Sequence, residues 1–160
     1  MNYNSAVEIL EFLDNYSEHF KELRSFIDEK QEKVAGDDVA WLLESLAEEQ
    51  KHIMRGNSLE AKRKLIFEEH GAGDYNAEKL IEACPEEVKG RMKLVTDSIE
   101  ESVNYIKATN EEILELARRK LEAQADIMKD SLIAGSDTYT NTGSKIRKMN
   151  GDDGNIIGSV

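Results

Sequence analysis

The residues of this chain best suited to chemistry are Glu49 and His52, whose Glu-x-x-His spacing sets a carboxylate and an imidazole on one helix face. Metal-binding helical bundles use two such motifs together with two further inward carboxylates. The other histidines, His19 and His70, follow Tyr16 and Phe67 by three residues, so the second motif is missing and no bound metal is expected. Cys84 is the only cysteine and has no histidine near it in sequence, which suits a small buried residue better than a nucleophile. No glycine-rich phosphate loop and no nucleophile elbow occurs. The many carboxylates are spread along the chain as solvated faces. The expectation is a protein without catalytic residues, metal or cofactor, whose work is binding.

Composition defines the elements that would do the binding. Proline occurs once in 160 residues, and because proline breaks both helix interiors and sheet ladders its scarcity favours long helices. With 39% hydrophobic and 34% charged residues, wide polar faces must stay in water, as on long helices of an elongated body. The fold class expected is all-α. A formal charge of −12 makes nucleic acid and anionic membrane surfaces poor partners. No stretch approaches the ~20 apolar residues of a membrane span. Acids at Glu8, Glu11 and Asp14 interrupt the first residues, unlike a signal peptide, and a single cysteine cannot form an internal disulfide. A cytoplasmic protein without membrane insertion is expected.

Three long helices follow from periodicity. Ile9, Leu13, Tyr16, Phe20, Leu23, Ile27, Lys30 and Val34 alternate spacings of four and three, a heptad seam widened by Phe12 and Phe26. Lys30 is its one polar member. Gly36 supplies a stop, and Asp37 or Asp38 an N-cap for the second helix. There the apolar positions are Val39, Leu42, Leu43, Leu46, Ile53, Leu59 and Leu65, with a kink or short break expected at Gly56-Asn57-Ser58 and Trp41 as a packing anchor near the turn. The short turn predicts an antiparallel hairpin. After Gly71-Ala72-Gly73 comes a loop with one helical piece around Leu80 and Ile81, and Pro85 opens the third helix with Glu86 and Glu87 in its first turn. Val88, Met92, Val95, Ile99, Val103, Ile106, Asn110, Ile113, Ala117, Leu121, Gln124, Met128 and Leu132 carry its stripe, and Gly135 is expected to end it. The expected domain is thus residues 1–134, with helices about 4–35, 38–70 and 86–134 in a coiled-coil-like three-helix bundle, and residues 135–160 as a flexible tail. The tail's Lys145-Ile146-Arg147-Lys148 cluster is too short to argue for nucleic acid.

The lengths do not match. The hairpin helices reach ~45–50 Å and the third ~70 Å at 1.5 Å per residue, so a C-terminal stretch from about Ala117 to Ile133 should outrun its neighbours. That stretch keeps apolar residues, which seek a partner when left uncovered. Leu114, Ala117, Leu121, Gln124, Ile127, Met128, Leu132 and Ile133 form the expected docking surface, and Met128 suits a surface that must refit. Asn110, a polar residue on the apolar stripe, is expected to set register.

Several stretches occur in a fixed order: Glu29-Lys30-Gln31-Glu32-Lys33-Val34-Ala35-Gly36-Asp37-Asp38, then Glu48-Glu49-Gln50-Lys51 through Ile53, Glu60 to Arg63, Asn110-Glu111-Glu112-Ile113-Leu114 through Leu121, and Tyr139 to Gly143. On these, from Val7 to Gly143, the chain resembles the FlgN-like family of flagellar secretion chaperones. Where the family often has a second Asn three residues after the first, this chain has Ile113. The resemblance implies a cytoplasmic chaperone for hook-associated proteins of the hook–filament junction, bound through their C-terminal helices before delivery to the flagellar type III export apparatus. It also implies a client-binding region toward the C-terminal end of the chain. Two other readings fit the same pattern: a homodimeric structural or adaptor coiled-coil protein, and a metal-dependent four-helix enzyme, the latter weakened by the missing motif.

Overall fold

The computed structural model describes the backbone of residues 1–149 and the side chains of residues 1–135. The expectations for the side chains of Tyr139 to Gly143 and of Lys145 to Lys148, and for the tail beyond residue 149, lie outside the described residues. Within them the fold is all-α: α1 spans Tyr3–Ala35, α2 Val39–Glu69, α3 Ala77–Ala83 and α4 Glu86–Met149. The chain divides into two compact units, Met1–Leu116 and Ala117–Val160.

Local chemistry sets the ends of the elements. Asn2 caps α1, its side-chain oxygen accepting the Ser5 N–H at 2.8 Å. Gly36 is the C-cap of α1, yet its φ is an ordinary −85°; the left-handed residue of the turn is Asp37, at φ 56°. Aspartate tolerates that region better than most residues. Asp38 then caps α2, accepting the Trp41 N–H at 3.0 Å and pairing with Lys33 at 3.1 Å. That backbone donor, followed by Lys33, holds the Asp38 carboxyl below its usual range. Trp41 packs 6.0 Å from Phe26, ring to ring, as a packing anchor beside the turn.

Four features differ from the sequence reading or sharpen it. α2 runs unbroken through Gly56-Asn57-Ser58. A Cβ at Gly56 would stand 3.2 Å from Nε2 of His19, so this glycine serves the close approach of α1 and α2 without breaking the helix. α3 is the expected helical piece, capped by Asn76. α4 opens after Pro85, whose carbonyl accepts the Val88 and Lys89 N–H groups at 3.1 Å. It does not end at Gly135 but continues to Met149. A glycine stops a helix by taking a left-handed turn; Gly135 has no positive φ, and its intrinsic cost of ~1 kcal/mol relative to alanine does not end a helix alone.

In the first unit, paired residues give the helix directions. Tyr16 with Glu60, Glu22 with Arg55 and Lys30 with Glu49 rise in α1 as they fall in α2, so the two are antiparallel, as expected of the hairpin. Asp14 with Arg91, Arg24 with Glu101, Asp28 with Tyr105 and Gln31 with Glu112 rise together, so α4 runs parallel to α1. Lys30, the polar member of the α1 seam, reaches Glu49 at 2.5 Å with both side chains partly buried. The core gathers Ile9, Phe12, Leu13, Phe67, Leu80, Met92 and their neighbours. Burial of this apolar surface is the main stabilising term.

The packing face of α2 departs most from the periodicity. Of its seven expected apolar positions, Val39, Leu43, Leu46, Ile53 and Leu65 are exposed, while Leu42 and Leu59 are half-buried. The face turned to α1 instead carries Glu49, His52, Gly56, Glu60 and Arg63, ending at buried Phe67. Polar and ionic contacts with Tyr16 and Lys30 hold this side, and the small Gly56 admits the bulk of His19.

Candidate partner-docking surface

Along α4 burial changes once. Val88, Met92, Val95, Ile106 and Ile113 are buried in the first unit, and Ile99 and Val103 are half-buried. From Leu121 onward every described side chain is exposed. The expected docking residues therefore stand at the surface: Leu121 is 67% exposed and Leu132 75%, Gln124, Ile127, Met128 and Ile133 are exposed as well, and Ala117 is half-buried. Leu114, also exposed, belongs to the first unit. The stripe itself does not change in character where burial ends: the same spacings of three and four continue with Leu, Ile and Met. Such a face gains most by covering apolar surface with another helix.

Asn110 is half-buried on the same stripe, and the fully buried polar side chain beside it is Thr109. Sequence reasoning did not single out Thr109, Ser17 or Ser102, which are also buried. Their signal was weak because small hydroxyl residues read as ordinary helix surface. Ser17 and Ser98 face each other at 3.3 Å between α1 and α4.

The residues with chemical potential make contacts within the fold. Glu49 is engaged by Lys30, and the His52 ring lies 5.1 Å from Phe26. Among the described residues no three His, Cys, Asp or Glu side chains converge on a metal position. Burial pushes the Cys84 thiol up, away from the thiolate a nucleophile needs. Tyr16, Glu60 and Arg63 form a network: Arg63 binds both Glu60 oxygens, at 2.8 and 3.0 Å, and holds that carboxyl low, while burial and Glu60 raise the Tyr16 phenol. Tyr16 and Arg63 also line a cavity of about 390 Å³ together with Leu13, Phe67, Leu80 and Ile99. No helix of the described residues is long and apolar enough to cross a membrane.

Among the described residues, His19 carries a buried side-chain nitrogen, Nδ1, with no hydrogen-bond partner. The residue is 2% exposed. Burial lowers its pKa most, followed by the charges of Arg55 and His52, with Glu22 opposing them. The folded state thus resists a proton that the unfolded chain accepts near pH 6.5. The unfolded state binds more protons below that value, so stability is full above about pH 6.5 and falls as the pH drops toward the folded pKa. The slope should not exceed about 1.4 kcal/mol per pH unit. The stability from the lowered carboxylates Glu48 and Glu60 is present above their unfolded value of 4.5 and is lost only as the pH falls below it. Urea titrations from pH 7 to 5 should show this loss, and His19→Met should flatten it even if the variant is less stable throughout.

Fold and surface together define the class: an all-α bundle that carries an exposed apolar helix face. Compared with protein-family models, with curated proteins and with solved structures, the chain finds no match.

Proposed function

We propose that this protein is a cytoplasmic flagellar export chaperone that binds the amphipathic C-terminal helices of hook-associated proteins. The observation that carries the reading is the exposed apolar stripe from Leu121 to Ile133, on a helix whose earlier stripe is core. The sequence resemblance supplies the kind of client. A junction protein's terminal helix has an apolar seam meant for contacts in the assembled filament, and free in the cytoplasm that seam would self-associate. Laying it along the α4 stripe buries both faces by helix-on-helix packing, keeps the client from assembling early, and needs no nucleotide or metal. Hand-over at the export apparatus then requires only a competitor for the same face.

Light scattering of the purified chain, with and without a hook-junction protein's C-terminal peptide, tests this. The expected result is one peptide bound per chain. No change in mass and no binding by calorimetry would remove the reading.

A further inference from the structure

The first unit holds a cavity that the function proposed for α4 does not use. All four helices line it: Leu13 comes from α1, Phe67 from α2, Leu80 from α3, and Ile99 and Val103 from α4. Its volume of about 390 Å³ lies within the range of small-molecule pockets, roughly 300–1,000 Å³. Leu13, Phe67 and Leu80 are buried, whereas Asn76, Ala77, Glu100 and Asn104 are exposed, so an apolar interior leads to a more polar mouth.

The polar groups on the lining define what the cavity can hold, because most are already engaged within the chain. The Tyr16 hydroxyl donates to Glu60 at 3.2 Å. Arg63 donates to both oxygens of the same carboxylate, which offsets its charge. The Thr96 hydroxyl donates to the carbonyls of Met92 and Lys93, at 3.0 and 2.9 Å. The Asn76 side-chain oxygen caps α3, accepting the Lys79 N–H at 2.9 Å. Of the two charged lining residues, Arg63 is therefore paired and Glu100 is acidic. An anion entering here would lose its water, find Arg63 already bound to Glu60 and meet Glu100 at the mouth. An uncharged apolar body loses only unfavourable contact with water and gains the walls of Leu, Ile, Val and Phe.

We propose that this cavity is a binding site for an uncharged, largely apolar small molecule, held with its polar end toward the mouth. The side-chain amides of Asn76 and Asn104 suit a hydroxyl or amide group at that end. The proposal is independent of the α4 reading.

Fluorescence titration of the full chain with N-phenylnaphthylamine, an uncharged apolar dye, should give saturable binding at one dye per chain. Anilinonaphthalene sulfonate keeps the same rings and adds one negative charge, and it should bind at least roughly tenfold more weakly. Val103→Trp, which fills the cavity from α4, should lower the affinity for the uncharged dye by roughly tenfold or more while circular dichroism stays helical. Ala77→Phe, placed at the exposed mouth, makes the same test if the tryptophan overpacks the core and unfolds the chain. Leu121→Asp, on the α4 stripe of the second unit, should leave dye binding unchanged. Absence of saturable binding, equal affinity for the two dyes, or an affinity unmoved in the folded filling variants would overturn the proposal. So would loss of dye binding on Leu121→Asp, which would place the dye on the α4 stripe instead.

Discussion

Met92→Ala should destabilise the chain by about 2–5 kcal/mol, whereas Met128→Ala, the same truncation on the same helix, should stay within about 0.5 kcal/mol of wild type. Met92 is 0% exposed, inside the cluster of Ile9, Leu13, Phe67 and Leu80, where a lost thioether leaves a cavity that its neighbours cannot fully refill. Met128 is 67% exposed, so its removal takes little apolar surface out of a dry environment. Alanine is the best helix former, and the backbone there gains a little from the change. Urea unfolding curves of the two variants give both numbers. Equal losses at the two sites would mean that Met128 is buried in solution and that the burial gradient along α4 is wrong.

The second large effect concerns binding. Leu121→Asp or Met128→Asp should weaken capture of the hook-junction peptide by roughly 30-fold or more each, the effect of losing ~2 kcal/mol from the centre of an interface. A buried aspartate lacks a partner against an apolar client seam, so the loss includes its desolvation. Both positions are exposed in the free chain, so circular dichroism and the unfolding midpoint should hardly move. Calorimetric titration of peptide into each variant checks the affinity. Loss of helicity alongside binding would place these residues in the core, and unchanged affinity would place the client elsewhere.

How far the sequence could be read depended on what each pattern encodes. The α1 seam was legible because its heptad is apolar nearly throughout: Ile9, Leu13, Ile27 and Val34 are buried, and Tyr16, Phe20 and Leu23 half-buried. The turn at Gly36 to Asp38 and the opening of α4 at Pro85 followed from cap chemistry, which is local. The packing face of α2 was not legible. Its apolar residues mark one stripe, and periodicity cannot tell which stripe faces a neighbour when the other carries polar groups with cross-helix partners. Glu49 reads as a solvated acid until Lys30 is seen to reach it, and Gly56 reads as a break until His19 is seen against it. Gly135 misled for the opposite reason: a glycine signals a stop only with a left-handed turn, and sequence does not show φ. In the candidate site, the fading of burial beyond Ala117 was anticipated from helix lengths alone, because those lengths follow from residue counts at fixed rise.

The burial gradient and the proposed client meet in one experiment: hydrogen–deuterium exchange of the full chain, alone and with the hook-junction peptide. Alone, amides of the α4 stretch 88–113 should be strongly protected and those of 117–134 should exchange quickly, since exposed helix opens locally at low cost. With peptide, protection should rise across 117–134 and stay unchanged in 88–113. Peptide binding that leaves 117–134 as fast as before, or that protects another segment instead, would contradict the claim that this stripe is the docking surface.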